Sequence, residues 1–304
     1  MPQAACACRN TSGQLCAVDR TGSAAQKGPF MTPEELLRQG HLSDCLAALE
    51  EQVRQQPTES KHRVFLFQLL ALLGQWDRAH TQLQVAAEMD PKCLFLSQMY
   101  APALQCEALR AEVFAGRRTP IIFGEPEPWM GLLVQASQLS ATGQYQPSQE
   151  LRRQALEQAP AVAGCIDGQP FAWIADADGR LGPMLEVILN GRYCWVPFQR
   201  IQSVHTEAPA DLRDVIWLPA QLQWTNGGEA IGLIPVRYPG TEASDDAALR
   251  MSRRTDWLQP LPELSIGLGQ RLLATDQDDY SLLATRCIQL GEPGIVPTEV
   301  TEHA

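Results

Sequence analysis

The chain lacks most of the signals that would assign it a chemistry. Among its 304 residues there is no Gly-x-Ser-x-Gly nucleophile elbow, no Gly-Lys-Ser/Thr phosphate loop and no His-Glu-x-x-His zinc motif. These absences remove the best-marked hydrolase, nucleotide-binding and metalloprotease classes. The nine cysteines include no Cys-x-x-Cys pair, and Cys6 and Cys8 stand too close together to read as half of a zinc site. An odd, irregularly spaced set argues against a disulfide framework and for a reduced, cytoplasmic compartment. No apolar run reaches the roughly 18 residues of a membrane-spanning helix. Positive charge is short as well: 24 Lys and Arg against 35 Asp and Glu leave a net −11. That balance disfavours nucleic acid and anionic membrane as partners and suits a basic or amphipathic protein segment.

The weaker chemical motifs do not complete themselves. Asp176-x-Asp178-Gly179 lacks the third acidic ligand and the distal Glu of a calcium loop, and reads as a turn with Asp caps. Gly267-x-Gly269 is too short for a dinucleotide fingerprint. The five histidines do not cluster in sequence. Cys194 and His205 are the one nucleophile–base pair that folding could bring together, and they define a hydrolase alternative.

What is present is a phrase that occurs three times. Gly40, Gly74 and Gly143 are each followed seventeen residues later by a proline: Pro57, Pro91 and Pro160. Two residues after each glycine stands a large apolar side chain (Leu42, Trp76, Tyr145), and five after it a small one (Cys45, Ala79, Ser148). Glycine ends a helix where the chain turns with positive φ, small residues let antiparallel helices approach, and proline stops the second helix. Gly40 to Gly74 is thirty-four residues, the tetratricopeptide period of about 34. The sixty-nine residues from Gly74 to Gly143 leave room for a middle unit without the glycine phrase, with Tyr100–Ala115 as a degenerate copy.

Helices are accordingly expected at Pro33–Gln39, Ser43–Gln55, Lys61–Leu73, Trp76–Met89, Ala103–Ala115, Pro128–Thr142 and Pro147–Gln158. The nearly all-apolar run Val64–Leu73 should be the most buried of them. Helical periodicity ceases near Ala161. Met184–Leu189, Asn190-Gly191 and Arg192–Pro197 spell a β-hairpin with a type I′ turn, and Val215–Trp224 with Ala230–Arg237 a second hairpin around Asn226-Gly227-Gly228. Tyr280–Ile288 reads as a last strand and Asp245–Arg254 as a short helix. Five of the seven tryptophans follow Ala161 and are expected to form the core of this part.

The fold class is therefore α+β in two domains, a tetratricopeptide-like hairpin stack followed by a small, mostly antiparallel β domain. The expected limits are 1–31 for a disordered leader or mis-assigned start, 32–160 for the helices, 161–292 for the β-rich part and 293–304 for a disordered tail. Stacked hairpins bind and rarely catalyse, and their concave groove takes an amphipathic partner helix. Phe65, Gln68, Leu69, Trp129, Leu132 and Gln135 are the candidate wall of that groove. A rival binding face on the β part would use Arg213, Arg237, Arg253 and nearby tryptophans.

Several ordered motifs resemble the ImpE family, also called TagJ, over about Thr32 to Leu290. They are Trp173-x-Ala-Asp-Ala-Asp-x-Arg-Leu-Gly-Pro183, Asn190-Gly-Arg-Tyr193, Trp195-Val-Pro-Phe198, Pro209-Ala-Asp-Leu-Arg-Asp214, Asn226-Gly-Gly-Glu229, Pro235-x-Arg-Tyr-Pro-Gly240 and Arg253-Arg-Thr-x-Trp257. The resemblance implies a cytoplasmic, non-enzymatic adaptor of a type VI secretion system. It further implies binding to the small sheath subunit TssB and a link to the ClpV ATPase that dismantles contracted sheath. The family carries no catalytic residues and no cofactor or metal. Residues 1–30 depart from its pattern. A general helical-repeat binding scaffold is the broader alternative.

Overall fold

Three of the helix pairs are built on one turn. In the computed structural model, which describes residues 31–291, the helices are α1 (Pro33–Gln39), α2 (Leu42–Gln55), α3 (Ser60–Leu72), α4 (Trp76–Met89), α5 (Leu94–Phe114), α6 (Pro128–Ala141), α7 (Tyr145–Gln158) and α8 (Ala247–Arg250). Apart from Met31, the expected leader and tail lie outside the described residues. Gly40, Gly74 and Gly143 have φ of 81°, 71° and 75°. The residue after each, His41, Gln75 or Gln144, donates its N–H to the carbonyl of Leu36, Leu70 or Leu139, at 2.9 Å each time. That bond, reaching back five residues, is the Schellman closure that satisfies a helix's last carbonyls. The small residues Cys45, Ala79, Ala86, Ser148 and Ala155 are all fully buried at the helix contacts. At the first helix start, Glu35 N–H donates to the Thr32 hydroxyl at 3.2 Å and Thr32 N–H to the Glu35 carboxylate at 2.9 Å. With Pro33 in the first turn, this is the capping box read from the sequence.

The middle hairpin does not form. A single 21-residue helix, α5, occupies the place of the degenerate copy. No glycine occurs between Gly74 and Gly116, so no residue there adopts a left-handed turn cheaply, and the helix runs on until Gly116 at φ 74°. Pro102 lies inside α5 without ending it, which is why the helix starts nine residues ahead of the expected Ala103.

The strands are β1 (Ile121–Ile122), β2 (Gly164–Ile166), β3 (Gln169–Phe171), β4 (Ile174–Asp176), β5 (Met184–Leu189), β6 (Arg192–Pro197), β7 (Ile201–Thr206), β8 (Trp217–Trp224), β9 (Glu229–Pro235), β10 (Thr255–Leu261), β11 (Leu264–Gly269), β12 (Leu272–Thr275), β13 (Asp279–Ser281) and β14 (Cys287–Leu290). Nine of them form one sheet in the order β1-β6-β5-β9-β8-β7-β14-β2-β3, beside a three-stranded sheet β13-β12-β4 and the hairpin β10-β11. Among the described strands only the β1–β6 pairing is parallel. The β5–β6 hairpin turns through Asn190 and Gly191, both at positive φ (49° and 73°), as a type I′ turn requires. The last expected strand is instead two, because Ala284 and Thr285 both donate to the Ser281 carbonyl and turn the chain between β13 and β14.

Helices and sheet share one core, and the described residues from Thr32 to Gly291 belong to a single compact unit. Leu66, Phe67, Leu69, Leu70 and Leu72 of α3 belong to the same buried cluster as Tyr193, Trp195 and Trp217 of the sheet. Trp217 stacks at 6.0 Å between centroids on both Trp76 and Tyr100. A second cluster fills the opposite side of the sheet, from Leu185 and Val187 to Ile166 and Ile288. Trp195, Trp217 and Trp224 are buried as expected, whereas Trp173 is 39% exposed.

Candidate functional site

The conspicuous motif residues converge on a sealed joint rather than an open pocket. The Arg271 guanidinium lies between the Asp176 and Glu186 carboxylates, all three with fully buried side chains. Arg110, from α5, holds Glu186 from the other side with two hydrogen bonds of 2.7 and 3.0 Å and also donates to the Arg237 carbonyl at 2.7 Å. Tyr193 hydroxyl donates to Glu186. Trp195 Nε1 donates to Tyr193 Oη, and Trp217 Nε1 to Glu107 on α5, each at 2.7 Å. Asp178 accepts from Arg180 and, at 2.9 Å, from Gly267 N–H. Burial pushes the Glu186 carboxyl up, but the charges of Arg110 and Arg271 outweigh it and hold it at about 2. Burial, reinforced by the neighbouring Asp178 charge, raises Asp176 to about 7 against the pull of Arg271. Perturbed carboxylates of this kind mark active sites when they face a cleft. Here they are sealed, and they tie a helix to a sheet.

Two predicted arginines serve the fold in the same way. Arg237 is 3% exposed, and its guanidinium donates to the carbonyls of Leu72 (2.7 Å) and Ala71 (3.4 Å) at the end of α3. Arg253 donates to the Arg38 carbonyl at the end of α1, at 3.1 Å. Both place a cation on a helix C-terminus, where the orphan carbonyls and the dipole favour it. Arg237 is thereby an internal cap, closed to a partner, whereas Arg253 caps α1 from an exposed position. Leu69 and Trp129, expected on a groove wall, are core residues at 0% and 3% exposure. The reason is that the sheet lies against α3 and α5 and fills the inner side of the stack. Leu132 is half-buried against that core and Gln135 is exposed, but α6 lines neither of the clefts described next.

Phe65, Gln68 and Arg213 do come together, around the segment Ala210–Asp214. Gln68 is buried, and its Oε1 accepts from Arg213 N–H at 3.3 Å. Arg213 lies 5.4 Å over the Tyr100 ring and pairs with Asp211 and Asp214. On one side of this segment a cleft of about 400 Å³ opens between α1 and α3, floored by Leu37, Val64, Phe65 and Leu212. Its rim carries Glu34, Asp90 and Asp211 against Lys61. Two residues along from Cys93, which also lines it, Phe95 is 70% exposed, and Leu94 is 50% exposed. On the other side a cavity of about 450 Å³ is lined by Tyr100, His205, Asp211, Arg213 and Ile231. Sequence reasoning missed Leu37, Val64 and Ile231. The motif Pro209–Asp214 marked the segment between the clefts without indicating what flanks it.

The hydrolase alternative is overturned. Cys194 is on β6 and His205 on β7, with β5, β9 and β8 between them in the sheet. His205 instead faces Cys287, Nε2 to Sγ 3.4 Å, where burial raises rather than lowers the thiol. Among the described residues, no group of three or more His, Cys, Asp or Glu is placed to hold a metal, and no helix is long and apolar enough to cross a membrane.

A family model described as ImpE protein matches residues 168–289. The type VI secretion system accessory component TagJ of Pseudomonas aeruginosa is 51% identical over 267 residues, 88% of this chain and 94% of that one. The crystal structure of protein VPA1032 from Vibrio parahaemolyticus superposes with a TM-score of 0.77, covering 86% of this chain and 97% of its own, at 24% identity. At that identity the likeness speaks for the α+β fold. On the strength of the near full-length relative, this chain belongs to the TagJ (ImpE) family of type VI secretion accessory components.

Proposed function

We propose that the protein is a non-enzymatic, cytoplasmic adaptor that binds the small sheath subunit TssB and links the contractile sheath to the ClpV ATPase. The observation that carries this reading is the α1–α3 cleft. Its apolar floor of Leu37, Val64, Phe65 and Leu212 stays half-buried, although α3 is fully packed into the core from Leu66 to Leu72. An amphipathic helix with aliphatic residues at positions i, i+3 and i+4 fills such a cleft. Three carboxylates against one lysine at the rim favour a helix whose flanks carry Arg or Lys. The site lies on the outer edge of the stack, because the inner side is taken by the sheet.

Co-purification of the tagged chain with TssB, and with ClpV in the presence and absence of TssB, tests the assignment. Val64→Arg places a charge on the cleft floor from a half-buried position. It is expected to abolish TssB capture while circular dichroism and melting temperature stay near wild type. Capture unchanged by Val64→Arg would move the sheath site elsewhere. Failure of the wild-type chain to retain TssB would leave only a general helical-repeat scaffold.

A further inference from the structure

Among the described residues, the helices cover only part of the sheet face that carries Trp217 and Leu233, and the rest of that face stands open. On it, Ser203 and His205 of β7, Gln221 and Gln223 of β8, and Glu229 and Ile231 of β9 stand opposite one another: Ser203 pairs with Gln223 and Gln223 with Glu229, His205 with Gln221 and Gln221 with Ile231. Cavities of about 450 and 480 Å³ lie over this face and share His205, Gln221 and Ile231, so they form one trough. One end is closed by Tyr100 and Arg213.

The chemistry of the trough is specific. Its floor offers amide, hydroxyl and imidazole hydrogen-bonding groups around a protruding aliphatic side chain, Ile231, which is 63% exposed. The lining carries four carboxylates, Glu207, Asp211, Asp214 and Glu229, against one arginine. Arg213 is already paired with Asp211 and Asp214. Glu207 and Glu229 are exposed and lie at opposite ends: Glu229 is level with Ser203, and Glu207 follows the end of β7. Four residues of strand rise separate those levels, about 13 Å.

We infer that this trough docks an extended, basic segment of a protein partner, carrying Arg or Lys at two positions about four or five residues apart and an aliphatic residue between them that packs on Ile231. Backbone amides of the segment bond to the Gln221 and Gln223 side chains, and its cations neutralise Glu207 and Glu229. The site is separate from the α1–α3 cleft, from which the Ala210–Asp214 segment divides it, and it does not depend on which protein fills that cleft.

The test is to pan a random dodecapeptide library on the full chain with counter-selection on Ile231→Arg, and to measure the enriched peptides by fluorescence anisotropy. Enriched sequences should carry the paired basic residues flanking an aliphatic one. Their binding should fall at least about tenfold in Ile231→Arg and in Glu207→Lys/Glu229→Lys, weaken as salt rises from about 50 to 200 mM, and be unchanged in Val64→Arg. All three substituted trough residues are exposed, so circular dichroism should stay that of wild type. If Ile231→Arg unfolds, Ile231→Ser gives the same readout with a smaller loss. Enrichment of acidic or neutral peptides, equal affinity for the trough variants, or no enrichment at all overturns the inference. So does a concentration-dependent dimer of the wild-type chain that Ile231→Arg dissociates, since the occupant would then be a second copy.

Discussion

Arg237 donates to the Leu72 carbonyl across 2.7 Å and 165 positions of sequence. The end of a helix in the front half is thus capped by a side chain of the rear half, and neither half is complete alone. Replacing this arginine removes the cap and leaves the Leu72 and Ala71 carbonyls buried without it. Arg237→Ala is expected to lower stability by about 3 kcal/mol, measured by urea denaturation. The transition should remain single, since the two halves share one core. Two separated transitions would show that the halves fold independently.

Gly74 and Gly143 make the same turn with different surroundings. A Cβ at Gly74 would lie 2.8 Å from Glu242 Cγ, whereas nothing stands within 4 Å of one at Gly143. Gly143→Ala is expected to cost only the left-handed backbone penalty, about 1 kcal/mol. Gly74→Ala carries the same penalty and the contact with Glu242 besides, about 2 kcal/mol in all. Equal losses in thermal melts would mean that Glu242 simply moves aside.

Glu186 gives the joint an acid limit. Its folded carboxyl, at about 2, lies below the ordinary 4.5, so its stabilisation is fully present above pH 4.5 and is lost as pH falls from there towards 2. Glu186→Gln breaks a buried ion pair and should cost about 3–5 kcal/mol at neutral pH. The gap from wild type should narrow steadily below pH 4.5. A gap independent of pH in denaturation series would assign the loss to packing.

Asp176 acts in the opposite sense. Its folded carboxyl is raised from 3.8 to about 7, so the native state holds its proton more tightly than the unfolded chain. Its contribution is most favourable below pH 3.8 and declines as pH rises to about 7. Asp176→Asn cannot titrate, and its stability should fall less than that of wild type between pH 4 and 7. Parallel curves over that window would place the proton elsewhere in the Asp176–Arg271–Glu186 group.

The parts legible in sequence were those set by neighbours along the chain. The Thr32–Glu35 capping box, the three glycine turns and the Asn190-Gly191 hairpin each depend on residues within about six positions. α5 was harder because its evidence is negative: the lack of a glycine between Gly74 and Gly116 counts for more than Pro102, whose breaking tendency tertiary packing overrides. The short strands β2, β3, β4 and β12 carry three or four residues each, too few for alternation to show. Around the site, Phe65 and Gln68 were found from hairpin logic, yet Leu69, one position further, is core. A helix as apolar all round as α3 does not declare which side meets solvent.

The sequence by itself determined that helices pair at Gly40, Gly74 and Gly143, because positive φ and small contact residues are local steric demands. It also carried the family motifs, whose buried carboxylates and arginines must satisfy one another wherever they meet. Only the tertiary structure decided which surfaces remain for partners. The sheet settles on α3 and α5, Arg237 turns inward to cap α3, and the open clefts are left on either side of Ala210–Asp214. Burial and charge pairing of this kind join residues more than a hundred positions apart, and no local pattern encodes which of them end up facing water.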